Sequence, residues 1–138
     1  MKISTKGRYA LRMMIDIAEN QDKGYVALKD IAARQEISKK YLEQIALYLS
    51  QCGMLKAVRG YQGGYMLAHD TRDYTVAQIL SAVEGSLAPV SCLESPVNTC
   101  PRREGCKTLP MWMSLNRRIQ EYLNSVTLAD VVEGHVEL

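Results

Sequence analysis

The sequence predicts a mostly α-helical fold of the winged helix-turn-helix type, followed by a long C-terminal helix. Three observations favour this fold class. Apolar residues recur at three- and four-residue spacing through the N-terminal part of the chain. A link long enough only for a tight turn separates two of the resulting helices, and a glycine-rich hairpin pattern follows them.

Composition and charge limit the classes of protein to consider. The 138 residues are 47% hydrophobic, which is enough for the core of one compact domain. No apolar run approaches the roughly 18 residues of a membrane span and no secretory signal opens the chain, so we expect a cytoplasmic protein without a membrane partner. Residues 1–65 carry eleven Lys and Arg against six acids, and residues 66–138 carry six against nine. This asymmetry favours a basic front half that meets a polyanion, although a solvated surface of mixed charge is an alternative.

Three helices are predicted before residue 53. The first covers about residues 5–20, on the spacing of its apolar side chains Ala10, Leu11, Met13, Met14, Ile15, Ile17 and Ala18. A short second helix is marked by Leu28, Ile31 and Ala32. Ser38 is a good N-cap for the third, which ends near Gly53 and places Leu42, Ile45, Ala46 and Leu49 on one stripe. The segment "RQEIS" between the last two predicts a helix-turn-helix.

The third helix has a polar face opposite its apolar stripe. At 100° per residue, this face groups Lys39, Lys40, Glu43 and Gln44. A recognition helix needs this division, because the apolar side anchors it while long polar side chains reach phosphates and base edges. An ordinary solvated helix face has the same pattern, and that alternative stays open for a helix taken alone.

The stretch "VRGYQGGY" joins two strand candidates, "MLKAV" and "YML". Gly60, Gly63 and Gly64 supply a permissive backbone for the turn, so the pattern predicts a hairpin wing. Arg59 at its base could enter a minor groove or bind phosphate. The alternative is a hairpin that only connects two parts of the chain.

Three blocks, "MKISTKGRYALRMMIDIA", "ISKKYLEQI" and "VRGYQGGYML", resemble in order and spacing the Rrf-type bacterial transcriptional regulators, the family of IscR-, RirA-, NsrR- and CymR-like proteins. The resemblance covers nearly the whole chain. It implies that Glu43 occupies a position of operator discrimination and that Arg59 lies in a wing that enters the minor groove. Lys40 occupies a position that varies in the family. The candidate DNA-binding residues are Thr5, Lys6, Ser38, Lys39, Lys40, Tyr41, Glu43, Gln44, Arg59, Gly60, Tyr61, Gln62 and Gly63.

A fourth helix over "TVAQILSAVEG", capped by Thr75 with Gln78, is followed by an irregular segment that holds three of the four cysteines. Residues 85–107 contain three prolines and no helical or strand pattern. Cys92, Cys100 and Cys106 lie there in a C-x7-C-x5-C arrangement. Because stable disulfides are disfavoured in the cytosol, this cluster indicates metal binding, iron-sulfur ligation or redox sensing. The spacings exceed the C-x2-C pairs of most structural zinc sites.

The family resemblance implies an iron-sulfur cluster at these three cysteines, because cluster-binding members carry three cysteines between the same two helices. The spacing resembles the RirA-like members more than the IscR-like ones. Whether the cluster is 2Fe-2S or 4Fe-4S stays open, as do zinc binding and thiol switching.

The fourth ligand is not implied by the resemblance. IscR-like members have a histidine where this chain has Leu109, and NsrR-like members use an aspartate where it has Arg8. We expect His69 and His135 to be surface residues. The remaining candidates are Glu94, Glu104 and an exogenous ligand.

The last long helix is predicted to begin at Thr108, with Pro110 in its first turn. Its apolar residues form a heptad seam, Trp112, Leu115, Ile119, Tyr122 and Val126. The seam could pack on the chain's own core. Because a helix-turn-helix that binds palindromic DNA usually has a two-fold partner, we expect a homodimer held by these five residues on a palindromic double-stranded operator. Thr127 is expected to cap a short final helix.

The sequence therefore predicts a DNA-binding transcriptional regulator with three parts. Residues 1–84 form the winged helix-turn-helix domain, residues 85–107 the cluster-binding loop, and residues 108–138 the dimerisation helix and tail. The second hypothesis is a zinc- or thiol-switch regulator with the same DNA-binding domain. An enzyme is not expected, because the sequence shows no nucleophile-base pair, phosphate loop or paired histidine motif.

Overall fold

The computed structural model describes residues 2–138, and within them the chain forms six α-helices and a two-stranded sheet. The helices are α1 (Thr5–Asn20), α2 (Leu28–Gln35), α3 (Lys39–Gln51), α4 (Val76–Glu84), α5 (Leu109–Ser125) and α6 (Leu128–Glu133). The strands are β1 (Leu55–Val58) and β2 (Gly64–Leu67). Every helix and strand expected from the sequence is present, and the mostly helical, winged fold class is confirmed.

The main core lies where α1, α2, α3 and α4 meet. Its fully buried side chains include Met13, Met14, Ile17, Ile31, Leu42, Ile45, Leu49, Ile79 and Leu128. Burying each such side chain contributes about 1.5–3 kcal/mol to folding. Leu128 comes from α6, so the end of the chain folds back and completes the core of the N-terminal part.

A polar network joins α1 to the end of α2 just before the turn into α3. Asp16 is only 2% exposed and accepts hydrogen bonds from Arg34 at 2.7 and 3.0 Å and from Gln35 at 3.0 Å. Glu36 follows in the left-handed conformation, φ 54°, and its N–H bonds to Ala32. Because Asp16 binds both of the last two residues of α2, the network sets where the turn begins and hence the direction of α3.

The wing is anchored to the segment between α1 and α2. Strands β1 and β2 pair antiparallel, with Leu55 opposite Leu67 and Val58 opposite Gly64. Val26 adds two further backbone hydrogen bonds to Tyr65, both 2.8 Å long, along the outer side of β2. The hairpin is therefore held on both sides of β2.

Two capping boxes fix the start of α4 and of α6 beside each other. Thr75 and Gln78 exchange hydrogen bonds of 2.9 and 3.1 Å, as the sequence predicts. Thr127 and Asp130 do the same for α6, and Thr75 and Thr127 form a β-bridge. This bridge ties the C-terminal end of α5 to the start of α4.

Candidate nucleic-acid interface and cysteine segment

The outer face of α3 carries the polar side chains that the sequence assigns to DNA reading. Lys39, Lys40, Glu43 and Gln44 are all exposed, whereas the opposite stripe is fully buried. Ser38 caps the helix by accepting a 3.1 Å hydrogen bond from the N–H of Tyr41. The cap leaves the N-terminal turn of α3 ordered and facing solvent, which is how a recognition helix enters a major groove.

Two large side chains on this face were not predicted as DNA-binding residues. Leu47 is 57% exposed and Tyr48 is 40% exposed, one turn after Glu43 and Gln44 respectively. The helical spacing i to i+4 was the signal available in the sequence. Exposed apolar side chains beside polar readers could contact thymine methyl groups in a major groove.

A groove of about 680 Å³ separates α3 from the wing. Its walls include Lys39, Glu43, Leu47, Val58, Arg59 and Tyr61. Arg59 is exposed at the base of the hairpin, and Gly60 has φ 112°, a conformation that favours glycine. Tyr61 is fully exposed near the tip of the wing, where Gln62 and Gly63 complete the turn.

The first turn of α1 lies beside the C-terminal half of α3. The Lys6 ammonium is 4.9 Å from the centroid of the Tyr48 ring, within the range of a cation–π contact. Thr5 is exposed and accepts a 3.1 Å hydrogen bond from Arg8. The N-terminal end of α1 thus brings a hydroxyl and two cations to the side of the α3 surface.

The three cysteines of residues 85–107 are free and half-buried. Cys92 lies in a single 3-10 turn, Ser91–Leu93, and Cys100 precedes a second one, Arg103–Gly105. Cys106 lies just before α5, where its sulfur is 3.3 Å from the hydroxyl of Thr108, the N-cap residue of that helix. Backbone bonds hold each turn locally, as from the N–H of Arg103 to the Cys100 carbonyl at 3.2 Å.

The cysteine thiols of this segment are suitable ligands for a thiophilic metal or cluster, but the three sulfur atoms do not lie around a common point. Among residues 2–138, no three His, Cys, Asp or Glu side chains converge closely enough to hold a metal ion. Three free thiols on irregular backbone are the soft ligands that iron and zinc prefer. A shared metal would therefore require residues 85–107 to rearrange.

Hydrogen-bond donors surround the thiol of Cys106. The Thr108 hydroxyl, followed by the N–H groups of Thr108 and Leu109, lowers the pKa of the Cys106 thiol below its ordinary value. These donors belong to the first turn of α5, and they favour the thiolate. The start of α5 therefore stabilises the thiolate form of Cys106.

Neither Glu94 nor Glu104, the candidate side chains for a fourth ligand, belongs to a group of side chains that could hold a metal ion within residues 2–138. Glu94 and Glu104 are exposed on the segment, and Arg8 binds Thr5. Leu109 is half-buried at the start of α5. His69 and His135 are exposed, as expected, and contact Tyr74 and Glu133.

Helix α5 contains no buried residue, although it is the longest helix of the chain. The predicted seam divides in two. Its half-buried members Trp112, Ile119 and Val126 alternate with more exposed ones, and Val126 packs against the small cluster formed by Val76, Leu80 and Leu87. The exposed side shows Met111 at 53%, Leu115 at 39% and Tyr122 at 56%. The spacing 111, 115, 122 continues an apolar stripe that has no cover within residues 2–138.

Within the described chain, no helix has the length and apolar character needed to cross a bilayer.

Comparison with known proteins identifies the family. A family model described as "Rrf2: Iron-dependent Transcriptional regulator" matches residues 3–134. Protein rrf2 of Nitratidesulfovibrio vulgaris is 41% identical over 133 residues, which are 96% of this chain and 87% of that protein. The HTH-type transcriptional regulator IscR of Klebsiella pneumoniae is 38% identical over 134 residues, 97% of this chain and 81% of that protein. A solved structure of CymR, the global cysteine regulator of B. subtilis, covers 99% of both chains with TM-score 0.78 and 32% identity. The chain therefore belongs to the Rrf2 family of transcriptional regulators.

Proposed function

We propose that this Rrf2-family regulator binds a palindromic DNA operator as a homodimer, and that an iron-sulfur cluster held by Cys92, Cys100 and Cys106 controls the binding. The observation that carries the DNA-binding part is the exposed polar face of α3 beside an exposed wing arginine. The observation that carries the sensing part is three free thiols on the one irregular segment between α4 and α5.

In the proposed complex, the N-terminal half of α3 enters the major groove. Glu43 and Gln44 meet base edges, while Lys39 and Lys40 meet phosphates. Arg59 enters the neighbouring minor groove from the wing, where a cation meets enhanced negative potential. Ser38, Tyr41 and the first turn of α1 add contacts to the sugar-phosphate backbone. Binding to chromosomal DNA would place the protein in the cytoplasm.

The homodimer is proposed to form through α5. The exposed stripe of Met111, Leu115 and Tyr122 supports this, because a long helix without a buried residue needs a partner to cover its apolar side. Two copies related by a two-fold axis would present two recognition helices to a palindrome.

The cluster is proposed on the chemistry of the ligands and on the family. Thiolate sulfur is the ordinary ligand of iron-sulfur clusters, and the matching family model is described as iron-dependent. When bound, the cluster would supply a redox-active and oxidant-sensitive group. Its three cysteine ligands would then hold segment 85–107 in one ordered conformation. A fourth ligand remains to be supplied by Glu94, Glu104 or an exogenous group.

The alternative is a zinc- or thiol-switch regulator with the same DNA-binding domain. Two observations favour its thiol-switch form: the cysteines do not converge on a common point, and the structural neighbour CymR is a global cysteine regulator. The hydrogen bonds from Thr108 that lower the pKa of Cys106 also suit direct oxidation, since thiolates are the reactive form.

Anaerobic purification followed by an absorption spectrum, with iron and sulfide analysis, tests the proposal. A cluster gives sulfur-to-iron charge-transfer bands in the visible region, and Ala at Cys92, Cys100 or Cys106 should bleach them or make the cluster labile. Cys52→Ala is the matched control, because Cys52 is an exposed free thiol at the end of α3, outside the segment.

The possible outcomes separate the parts of the proposal. Uptake of zinc alone, or of no metal, would refute the cluster and favour the alternative. Iron and sulfide uptake with equal operator affinity in loaded and apo protein would refute control by the cluster. Neither result would contradict the proposed DNA-binding role of α3 and the wing. An operator selection experiment tests that role directly.

A further inference from the structure

A single carboxylate oxygen joins the end of α4 to the first turn of α1. Oε1 of Glu84 accepts hydrogen bonds from the N–H of Ser4 at 3.0 Å and from the N–H of Gly7 at 3.1 Å. The Ser4 hydroxyl also donates to it. Glu84 thus adds a second cap to α1, beside the local N-cap Ser4, which lies 80 residues earlier in the chain. Its negative charge is favoured at a helix N-terminus.

Gly7 explains why the approach is so close. A side-chain Cβ at this position would collide with the Glu84 carboxylate and touch Ile3. Gly7 is buried and lies inside a helix, where glycine is less favourable than alanine by about 1 kcal/mol. The contact with Glu84 supplies the reason for a glycine at that site.

The contact lies directly before the segment that carries the three cysteines. Glu84 is the last residue of α4, and Gly85, with φ 79°, begins the segment that carries the three cysteines. Apolar packing joins the same two parts of the chain, because Ile3, before α1, packs against the small hydrophobic cluster that contains Leu87. The base of the cysteine segment and the N-terminus of α1 therefore share both a hydrogen-bonded group and an apolar contact.

We infer that Glu84 is a positioning residue for DNA binding: it fixes the first turn of α1, with Thr5 and Lys6, and passes changes in residues 85–107 to that turn. Thr5 and Lys6 lie between the bonded residues Ser4 and Gly7, and the Lys6 ammonium lies against Tyr48 of α3. The inference rests on the proposed DNA-binding function of this surface. A shift of Glu84 frees the N–H of Ser4 and leaves the N–H of Gly7 with only its longer, 3.3 Å hydrogen bond to the Ser4 hydroxyl. The turn can then fray, which withdraws backbone contacts without altering α3.

Two variants release the contact from opposite sides. Glu84→Ala removes the acceptor, and Gly7→Ala displaces the carboxylate without changing any charge. Each should weaken binding to every operator by roughly tenfold and lower the salt dependence of log K by about 0.9, as for one lost phosphate contact. Glu84→Gln keeps a carbonyl acceptor and should restore most of the affinity. Glu19→Ala, an exposed acid on the same helix, is the control and should change neither quantity.

Amide exchange separates this inference from the proposed function. The N–H of Gly7 should exchange faster in Glu84→Ala than in wild type or Glu19→Ala. Unchanged exchange at Gly7, or unchanged affinity and salt dependence in folded Gly7→Ala, would overturn the positioning role. If wild-type protein bound no operator, the proposed function would fail, and the Gly7 exchange rate alone would decide whether Glu84 orders this turn.

A double-mutant cycle tests the coupling to the cysteine segment. Replacing all three segment cysteines with Ala should shift operator affinity in the wild-type background and have little effect in Glu84→Ala. A full, undiminished shift in both backgrounds would show that the segment acts by another route. No shift in wild type would remove the sensing role of the cysteines, while the affinity and exchange results above still decide the role of Glu84.

Discussion

Glu43 and Arg59 face the same groove from opposite walls, yet their chemistry assigns them different roles. A carboxylate on a recognition helix is repelled by phosphates and accepts hydrogen bonds only from particular bases, such as the amino group of cytosine. An arginine in a minor groove is attracted by the narrow negative channel itself. The first should act as a filter of sequence, and the second should supply affinity.

We expect Arg59→Ala and Glu43→Ala to change DNA binding in different ways. Arg59→Ala should weaken binding to all operators, by roughly tenfold or more, and reduce its salt dependence. Glu43→Ala should broaden the accepted sequences, since a lost base contact costs about 1–3 kcal/mol of discrimination. Selection from an operator library measures both. Identical sequence profiles and affinities for both variants and wild type would contradict the assignment of these residues.

The buried Asp16 makes its contribution to stability rather than to contact with DNA. Its carboxylate holds Arg34 and Gln35 at the end of α2, and its hydrogen bonds with Arg34 raise the pKa of that guanidinium above its ordinary value. Arg34 keeps 41% of its side chain exposed, so solvent screens part of the ion pair. The hydrogen bonds to the buried carboxylate are the larger effect.

Asp16→Ala should lower the free energy of unfolding by about 1–3 kcal/mol, because it removes the buried carboxylate that accepts the hydrogen bonds of Arg34 and Gln35 at the end of α2. Chemical denaturation measures this change. Asp70→Asn provides the comparison, since Asp70 pairs with Arg72 on an exposed surface and its loss should leave the unfolding midpoint unchanged. Equal effects of the two substitutions would show that the α1–α2 network is not a principal anchor.

At the scale of elements, the wing depends on close contact between backbones. Strand β2 lies against Val26 so closely that a Cβ on Gly64 would collide with the Val26 carbonyl. The two hydrogen bonds between Val26 and Tyr65 require this approach. The glycines of "VRGYQGGY" thus serve different purposes, since Gly60 supplies a positive φ at the turn and Gly64 supplies space.

Gly64→Ala should push β2 away from Val26 and destabilise the protein by about 1–3 kcal/mol, the usual cost of overpacking. The N–H groups of Val26 and Tyr65 should then exchange faster, and operator affinity should fall with the position of Arg59. Gly105→Ala is the matched control, because nothing lies within 4 Å of a Cβ there. If Gly64→Ala left both amides protected, the contact with Val26 would not be what holds the wing.

At the scale of the whole molecule, α5 is a helix whose apolar side is only partly covered by the rest of the chain. It touches α4 through residues such as Leu123 and Val126, but Met111, Leu115 and Tyr122 stay exposed along its length. A regulator that reads a palindrome needs its two recognition helices about one DNA turn, roughly 34 Å, apart. A rigid helix between the copies can hold this spacing.

We therefore expect Leu115→Glu together with Tyr122→Glu to convert a dimer into monomers, since charges in an apolar seam cost several kcal/mol, on the order of 2–5. Sedimentation at micromolar concentration gives the oligomeric state, and operator binding should weaken in parallel. Arg117→Glu, a charge reversal about 200° around the same helix from Leu115, is the control and should leave the dimer intact. A wild-type protein that sediments as a monomer would contradict the dimer and assign the seam to the chain's own packing.

The sequence by itself determined the elements and most of the candidate surface. Periodicity at 3.6 residues placed α1 to α5, caps at Ser38, Thr75 and Thr127 placed three helix starts, and glycines placed the hairpin. These features are local, because a cap or a turn acts within a few residues of itself. The exposed face of α3 followed from the same periodicity.

Only the tertiary structure decided the contacts between distant residues. Asp16 with Arg34, Val26 with Tyr65, and Glu84 with Ser4 and Gly7 are hydrogen-bonded groups 18 to 80 residues apart. A sequence contains the donors and acceptors but not which of them meet, since that depends on how helices pack around the core. The same holds for the cysteines: their spacing showed that three thiols share one segment, whereas only the fold could show that they do not converge.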